Sequence, residues 1–247
     1  MMPRSNILKP ADMQGALNDD MSAGNGYEAA LLDFDMTLVN MSELVNWEDA
    51  TKRVRERLLA NGFDVSSLRH LPVSLLREAA MHDRMEIKTR RERWIMASDD
   101  LCEFECRGAE DTTLREGSWE LLTYLRSRGV SVAITSSNCG RAINNCIERL
   151  SLKELVTVTV SRDDVLWEMK PNGMAIGIAL EMLGTSAEKA FGLGDSVVDM
   201  MAFGSAGVTA YGVTGGMSSR KQLLEAGAQR VFENLNELVT ELSHSTA

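Results

Sequence analysis

Asp33 and Asp35 stand two residues apart at the end of a short apolar run, Ala29-Ala30-Leu31-Leu32-Asp33-Phe34-Asp35. On an extended segment, side chains two apart point to the same side, so both carboxylates face one way while Phe34 turns the other. Clustered carboxylates repel unless a cation or a catalytic demand offsets the cost. Alone, the pair licenses a metal site or acid/base chemistry. A second acidic pair lies in Gly192-Leu193-Gly194-Asp195-Ser196-Val197-Val198-Asp199, with Asp199 one helical turn past Asp195. Hard oxygen ligands of this kind suit magnesium, which binds through a few carboxylates plus water and phosphate. The glycines there have the wrong spacing for a dinucleotide fingerprint, and acids fill the turn where a pyrophosphate needs bare amides. Two donors suited to phosphate lie between the acidic pairs. Thr135-Ser136-Ser137-Asn138 offers hydroxyls and backbone N–H groups near a helix N-terminus. Lys170, before Pro171, can hold a phosphoryl oxygen and balance carboxylate charge.

These residues need elements to position them. The continuous apolar run before Asp33 fits a strand buried on both faces, as in a parallel sheet. Comparable runs span 129–135, 154–160, 189–193 and 208–213, with helical patterns at 118–128, 141–150, 173–183, 197–205 and 218–226. Gly129 and Gly184 follow helices, where a glycine C-cap belongs. Strands alternating with helices predict an α/β fold with a Rossmann-like parallel sheet, whose carboxyl edge is where open sheets bind ligands. One stretch breaks the rhythm: from 42 to 111 only helical signals appear, at 43–61, 73–82 and 85–107. The predicted organisation is a flexible leader over 1–26, a core of 27–41 plus 112–247, and an inserted helical cap over 42–111.

Composition excludes several classes. The chain has 247 residues, 44% hydrophobic and 25% charged, the profile of a globular protein with room for a core and a smaller accessory domain. A formal net charge of −10 argues against a nucleic-acid binder. No apolar run approaches the roughly 18 residues that cross a bilayer, and the N-terminus lacks a signal-peptide apolar region. The histidines, His70, His82 and His244, are too scattered for a histidine metal site. Cys102 and Cys106 fall four apart in a helical pattern, and Cys139 follows the Thr135 segment. All three read as packing residues; no disulfide framework is expected, which favours a reducing cytoplasm. Lys and Arg outnumber Asp and Glu between Lys52 and Arg93. That excess reads as solvated helices laced with ion pairs, or as a positive lid over an anionic substrate. Arg84, Lys88, Arg90 and Arg91 are the candidates to meet a substrate carboxylate or second phosphate. Trp47 and Trp94 could pack against a substrate, but packing of the cap against itself is the first expectation.

Taken together, the segments resemble the haloacid dehalogenase-like hydrolases. Asp33-Phe34-Asp35-Met36-Thr37 is similar to that family's first motif, Asp-x-Asp-x-Thr. Thr135 and Lys170 stand at its second and third, and Asp195 with Asp199 matches a Gly-Asp-x-x-x-Asp fourth. The likeness covers roughly 28–243 and is strongest to the phosphoglycolate-phosphatase-like branch, whose helical cap is inserted between the first two motifs. The resemblance implies that Asp33 attacks phosphorus to form an aspartyl-phosphate, while Asp35 protonates the leaving oxygen and then activates water. It implies Mg2+ held by the Asp33 carboxylate, the Asp35 backbone carbonyl and Asp195, with Asp199 in support. Thr135, the Ser136 amide and Lys170 would hold the phosphoryl group. The implied substrate is a small phosphorylated metabolite, met by a monomer or homodimer. Met36 departs from the family's usual glycine, and Asn172-Gly173-Met174 from its proline and aspartate. Rival readings are a phosphomutase on the same scaffold and a non-catalytic binding or regulatory module. The second needs a lost catalytic group, and Asp33, Asp35, Thr135, Lys170 and Asp195 are all present.

Overall fold

The computed structural model describes residues 26–68, 71–82 and 84–244. The predicted leader lies outside the described residues except for Gly26. Six strands form one sheet: β1 (Ala29–Leu32), β2 (Ser131–Thr135), β3 (Val158–Val160), β4 (Ala190–Gly194), β5 (Thr209–Val213) and β6 (Arg230–Phe232). All pair in parallel, in the order β3-β2-β1-β4-β5-β6. The α/β expectation is borne out. The β1 run reads as unbroken hydrophobicity because both sheet faces are covered: Ala29 and Leu31 enter one core cluster, Ala30 and Leu32 the other. β3 is shorter than predicted, starting at Val158, and the three-residue β6 carries too little periodicity to be read from sequence.

Between β1 and the rest of the sheet come α1 (Trp47–Ala60), α2 (Pro72–His82) and α3 (Ile87–Asp111). The core adds α4 (Ser118–Ser127), α5 (Gly140–Arg149), α6 (Arg162–Val165), α7 (Met174–Leu183), α8 (Val197–Ser205), α9 (Arg220–Glu225) and α10 (Leu235–His244). Asn46 caps α1 by accepting from the Asp49 N–H. Val54, Leu58, Leu75, Leu76, Trp94 and Leu101 supply the buried side of the insertion, and Trp94 Nε1 donates to the Leu76 carbonyl at 2.9 Å. Much of the insertion's positive charge is spent on its own construction. Arg53 and Arg57 bind the buried Asp100 carboxylate, and Arg55 donates to the carbonyls of Val65 and Leu68.

Helix α3 also serves the core. Its Glu105 forms a two-pronged ion pair with Arg162, at 2.8 and 2.9 Å, with both side chains fully buried. A buried pair of this quality repays its desolvation only when the remaining donors and acceptors are met. Here they are: Arg162 also donates to Ser98 Oγ and the Ser137 carbonyl, and Glu105 accepts from Asn138 Nδ2 and the Cys139 N–H. At this joint Cys102 and Cys139 are disulfide-bonded across 37 residues. That corrects the packing role expected for both, because only the docking of α3 on the segment after β2 brings their sulfurs together.

Candidate active site

β1 lies at the centre of the sheet, where strand order reverses between β2 and β4, so the carboxyl ends of these strands open onto a crevice. A cavity of about 610 Å³ occupies it. Asp33, Asp35, Ser136, Lys170, Asp195 and Asp199 line its floor, and Trp47, Pro72 and Arg77 of the helical insertion line its roof.

Lys170 joins the floor. Its Nζ donates to Asp33 Oδ1 at 2.7 Å and to Asp199 Oδ1 at 2.6 Å, with all three side chains nearly inaccessible. Asp195 accepts from Thr37 Oγ1 at 3.1 Å and from the Met217 N–H at 2.6 Å. Asp199 turns its second oxygen back to the Ser196 N–H and hydroxyl, a capping box that starts α8 and orients the carboxylate at once. The backbone leaves no slack here. A Cβ on Gly194 would stand 2.5 Å from Asp199 Cβ, and one on Gly216 would stand 2.1 Å from Asp195 Oδ2. Glycine is required at both positions because the chain passes against a carboxylate.

Carboxylate oxygens of Asp33, Asp195 and Asp199 lie within 4.8 Å of one another. Three buried acids against one ammonium leave an excess of negative charge. Burial pushes Asp33 up to about 7, with the Asp199 charge adding to it, and burial likewise pushes Asp195 up to about 6. Burial alone would lower Lys170, but Asp199 and Asp33 hold it above the ordinary lysine range. An all-oxygen cluster with surplus negative charge fits a hard divalent cation. The Asp35 carboxylate stands outside the cluster. It is half-buried and accepts from the Ser42 N–H at 2.8 Å and Ser42 Oγ at 2.6 Å. Burial pushes it up to about 6 against the pull of those two bonds.

Thr135 ends β2 fully buried, and its Oγ1 has no hydrogen-bond partner among the described residues. An orphaned buried hydroxyl beside a site is what a ligand acceptor would satisfy. The Ser136 amide is a correction. It donates to the Val160 carbonyl at 2.9 Å, because the β2–β3 ladder runs one residue past Thr135, so that N–H is already spent. What Ser136 brings to the cavity wall is its side chain, whose hydroxyl donates to Asn138 Oδ1.

The four cations singled out in the insertion do not line the cavity. Arg84, Lys88 and Arg91 are exposed around the start of α3. Arg90 stacks on Trp167, 4.6 Å from the ring centroid, and donates to the Ala80 carbonyl, so it clamps the insertion to the core. Arg77 on α2 faces the cavity instead. Its Nη1 donates to Glu78 at 2.7 Å, and its buried Nε has no partner among the described residues. Arg77 had no signal in the sequence beyond being one more helix cation.

Met36 has φ 66°. A methionine therefore occupies the left-handed conformation that the family's glycine takes freely, at a cost of about 1–2 kcal/mol. The turn survives because the Met36 N–H donates to the Val39 carbonyl at 2.7 Å. Asn172 compensates the second departure, its side chain accepting from the Met174 N–H at the start of α7.

A family model for haloacid dehalogenase-like hydrolases matches residues 30–213, taking in all four motif positions. The chain belongs to that family. Among curated relatives of this haloacid dehalogenase-like hydrolase, phosphoglycolate phosphatase 1 of Pseudomonas aeruginosa is 26% identical over 128 residues, 52% of this chain and 47% of that protein. The chain thus spans about half the length of the curated relatives it first matches. Among solved structures, a hydrolase from Pseudomonas syringae superimposes with a TM-score of 0.64 at 23% identity, covering 87% of this chain and 98% of that one. CbbY from Rhodobacter sphaeroides, in complex with phosphate, gives 0.61 at 20% identity, covering 88% and 99%. At these identities the structures share the fold.

Proposed function

We propose that the chain is a magnesium-dependent phosphatase acting on a small phosphate monoester through an aspartyl-phosphate on Asp33. The observation that carries this reading is the Asp33–Lys170–Asp199 bridge on the cavity floor. It holds a buried carboxylate fixed, with a cation beside it and an orphaned hydroxyl, Thr135 Oγ1, nearby in the fold. Phosphoryl transfer needs chiefly positioning and charge stabilisation, and these groups supply both. Asp33 attacks phosphorus as the ester oxygen leaves. Asp35, raised to about 6, can give that oxygen a proton and then take one from the water that opens the acyl phosphate. Lys170 and Thr135 hold the phosphoryl oxygens. Mg2+ held by Asp33, Asp195, the Asp35 backbone carbonyl and, in support, Asp199 would neutralise the charge gathered there. We place the reaction in the cytoplasm, and residues 42–111 act as the cap.

Arg77 points to the substrate class. A roof guanidinium with an N–H that has no partner among the described residues suits a second anionic group on the ester, and the carboxylate of phosphoglycolate, named in the relatives, meets that description. The test is a screen of phosphorylated metabolites for phosphate release with Mg2+. Hydrolysis of carboxylated esters over neutral ones is expected, and no release from any ester overturns the reading. Arg77→Met should raise KM for a carboxylated ester about tenfold to hundredfold, the worth of one charge-assisted bond. The KM for an aryl phosphate without a second anion should stay unchanged. Equal effects on both would remove Arg77 from recognition.

Metal binding has its own readout. Asp33 and Asp195 hold protons more tightly in the folded chain than at the ordinary value of 3.8. Metal-free stability is therefore fullest below that value and declines as pH rises through about 6 to 7. Mg2+ needs the ionised cluster, so its stabilisation should grow over the same window. At a hundredfold excess over Kd, Mg2+ should raise Tm by roughly 5–10 °C at pH 8 and much less at pH 5. Thermal melts at both pH values check this, and a pH-independent shift would place the ion elsewhere.

A further inference from the structure

The proposed reaction has no use for sulfur, yet three cysteines gather where α3 docks on the segment after β2. Cys102, Cys106 and Cys139 have their Sγ atoms within 4.8 Å of one another. Cys102 and Cys139 are bonded, and their side chains are sealed, at 5% and 1% exposure. A reagent in solution cannot reach that bond directly. Cys106 is a free, half-buried thiol, one turn along α3 from Cys102, and its Sγ lies 3.9 Å from Cys102 Sγ. Arg141, in the first turn of α5, donates from Nε to Cys106 Sγ at 3.2 Å, leaving the sulfur as acceptor.

We infer that Cys102, Cys106 and Cys139 form a thiol–disulfide exchange site, in which Cys106 relays electrons between a small-molecule dithiol or disulfide and the buried Cys102–Cys139 bond. The steps balance. The Cys106 sulfur, losing its proton, attacks Cys102 Sγ; the bond to Cys139 breaks, and Cys139 leaves as a thiolate that takes up a proton. One disulfide replaces another, with no net oxidation. A Cys102–Cys106 bond, four residues apart on a helix, falls within ordinary disulfide reach. An external dithiol then attacks the sulfur of the half-buried Cys106, forms a mixed disulfide and closes on itself. It gives up two electrons and two protons as Cys102 and Cys106 become thiols. A small-molecule disulfide runs the sequence backwards.

The bond under this control joins α3, which carries the helical insertion, to the residue immediately after Asn138 in the cavity wall. Opening it removes the covalent link and leaves the non-covalent joint, chiefly the Glu105–Arg162 pair, the Asn138 and Cys139 bonds to Glu105 and the Arg149 bond to the Ala109 carbonyl. Intracellular disulfides are typically transient and redox-sensing, which suits a bond with a built-in relay.

The experiment uses the full chain oxidised with oxidised glutathione, then exposed to dithiothreitol, with timed alkylation and peptide mapping by mass spectrometry. We expect Cys102–Cys139 in the oxidised protein and a transient Cys102–Cys106 peptide during reduction. Opening should be at least tenfold slower in Cys106→Ser, with Cys106→Ala as a second variant should the serine disturb α3. On reduction, hydrogen exchange in residues 99–106 and 136–146 should rise severalfold in the wild type. Cys139→Ser should show the raised exchange with or without reductant. Equal opening rates in wild type and both variants overturn the relay, and so does absence of Cys102–Cys139 from the oxidised protein. Unchanged exchange on reduction overturns the tether. Stoichiometric retention of Zn2+ by the reduced protein, with no Cys102–Cys106 peptide, would make the cluster a metal site instead. None of these readouts depends on phosphate release.

Discussion

Asp33→Asn should lose turnover by at least roughly 10⁴-fold in kcat, the scale on which removal of an essential nucleophile is felt elsewhere. An amide of the same shape keeps an oxygen for Lys170 Nζ, now 2.7 Å from Asp33 Oδ1, so the site's geometry should persist. The oxygen proposed as nucleophile is lost and, with it, one carboxylate of the cluster. Inactivity through misfolding is separable from inactivity through chemistry because the two predict opposite stability changes. Burial pushes Asp33 up to about 7, so its ionised form is costly to the metal-free fold at alkaline pH. Removing that charge should leave the metal-free variant at least as stable as the wild type at pH 8 and reduce the Tm gain from Mg2+. Phosphate release assays and thermal melts on the same preparation give both answers. A variant that keeps near-normal turnover removes Asp33 as the nucleophile.

Lys170→Met should be the most damaging change to the metal-free protein. It strips the cation shared by Asp33 and Asp199, both buried, and leaves two carboxylates without a counter-charge. Breaking a buried ion pair from one side typically costs about 3–5 kcal/mol, more than replacing the pair as a whole. Metal-free urea unfolding should show a loss of that order at pH 8. It should shrink at pH 5, where the raised Asp33 is protonated. Mg2+ should restore part of the stability by taking over the neutralisation. The activity loss should be about 10²–10³-fold even with saturating Mg2+, the worth of one electrostatic donor to a transferring group. Full activity with the stability loss intact would reduce Lys170 to a structural strut.

The two variants bear on the same feature from opposite ends. Asp33, Lys170 and Asp199 form one bridge, so their effects should not add, and a double variant should lose less stability than the sum of the single changes.

What was legible in the sequence was local. The run Ala29–Leu32 could be read as a two-faced buried strand because every residue of a central parallel strand meets a core cluster. Asp33, Asp35, Asp195 and Asp199 could be read as a strand-end site because two-residue and four-residue spacings are set by strand and helix geometry within one segment. Order along the chain then placed Thr135 and Lys170 between the two acidic pairs. The insertion from 42 to 111 was visible as a break in rhythm, since three helices in succession leave no strand period.

Tertiary structure decided everything that depends on segments distant in the chain converging. It put Arg77 on the cavity roof and left Arg84, Lys88 and Arg91 in solvent, because which face of a helix meets the core depends on how the insertion docks. It spent the Ser136 amide on Val160, because ladder length depends on the neighbouring strand. It buried Arg162 against Glu105 and brought Cys102 to Cys139, pairs 57 and 37 residues apart that no local period links. By itself the sequence determined which groups are available for chemistry and at which strand ends they stand. Only the packing of remote segments decided which of them touch, since those distances are set by side chains competing for one shared interior.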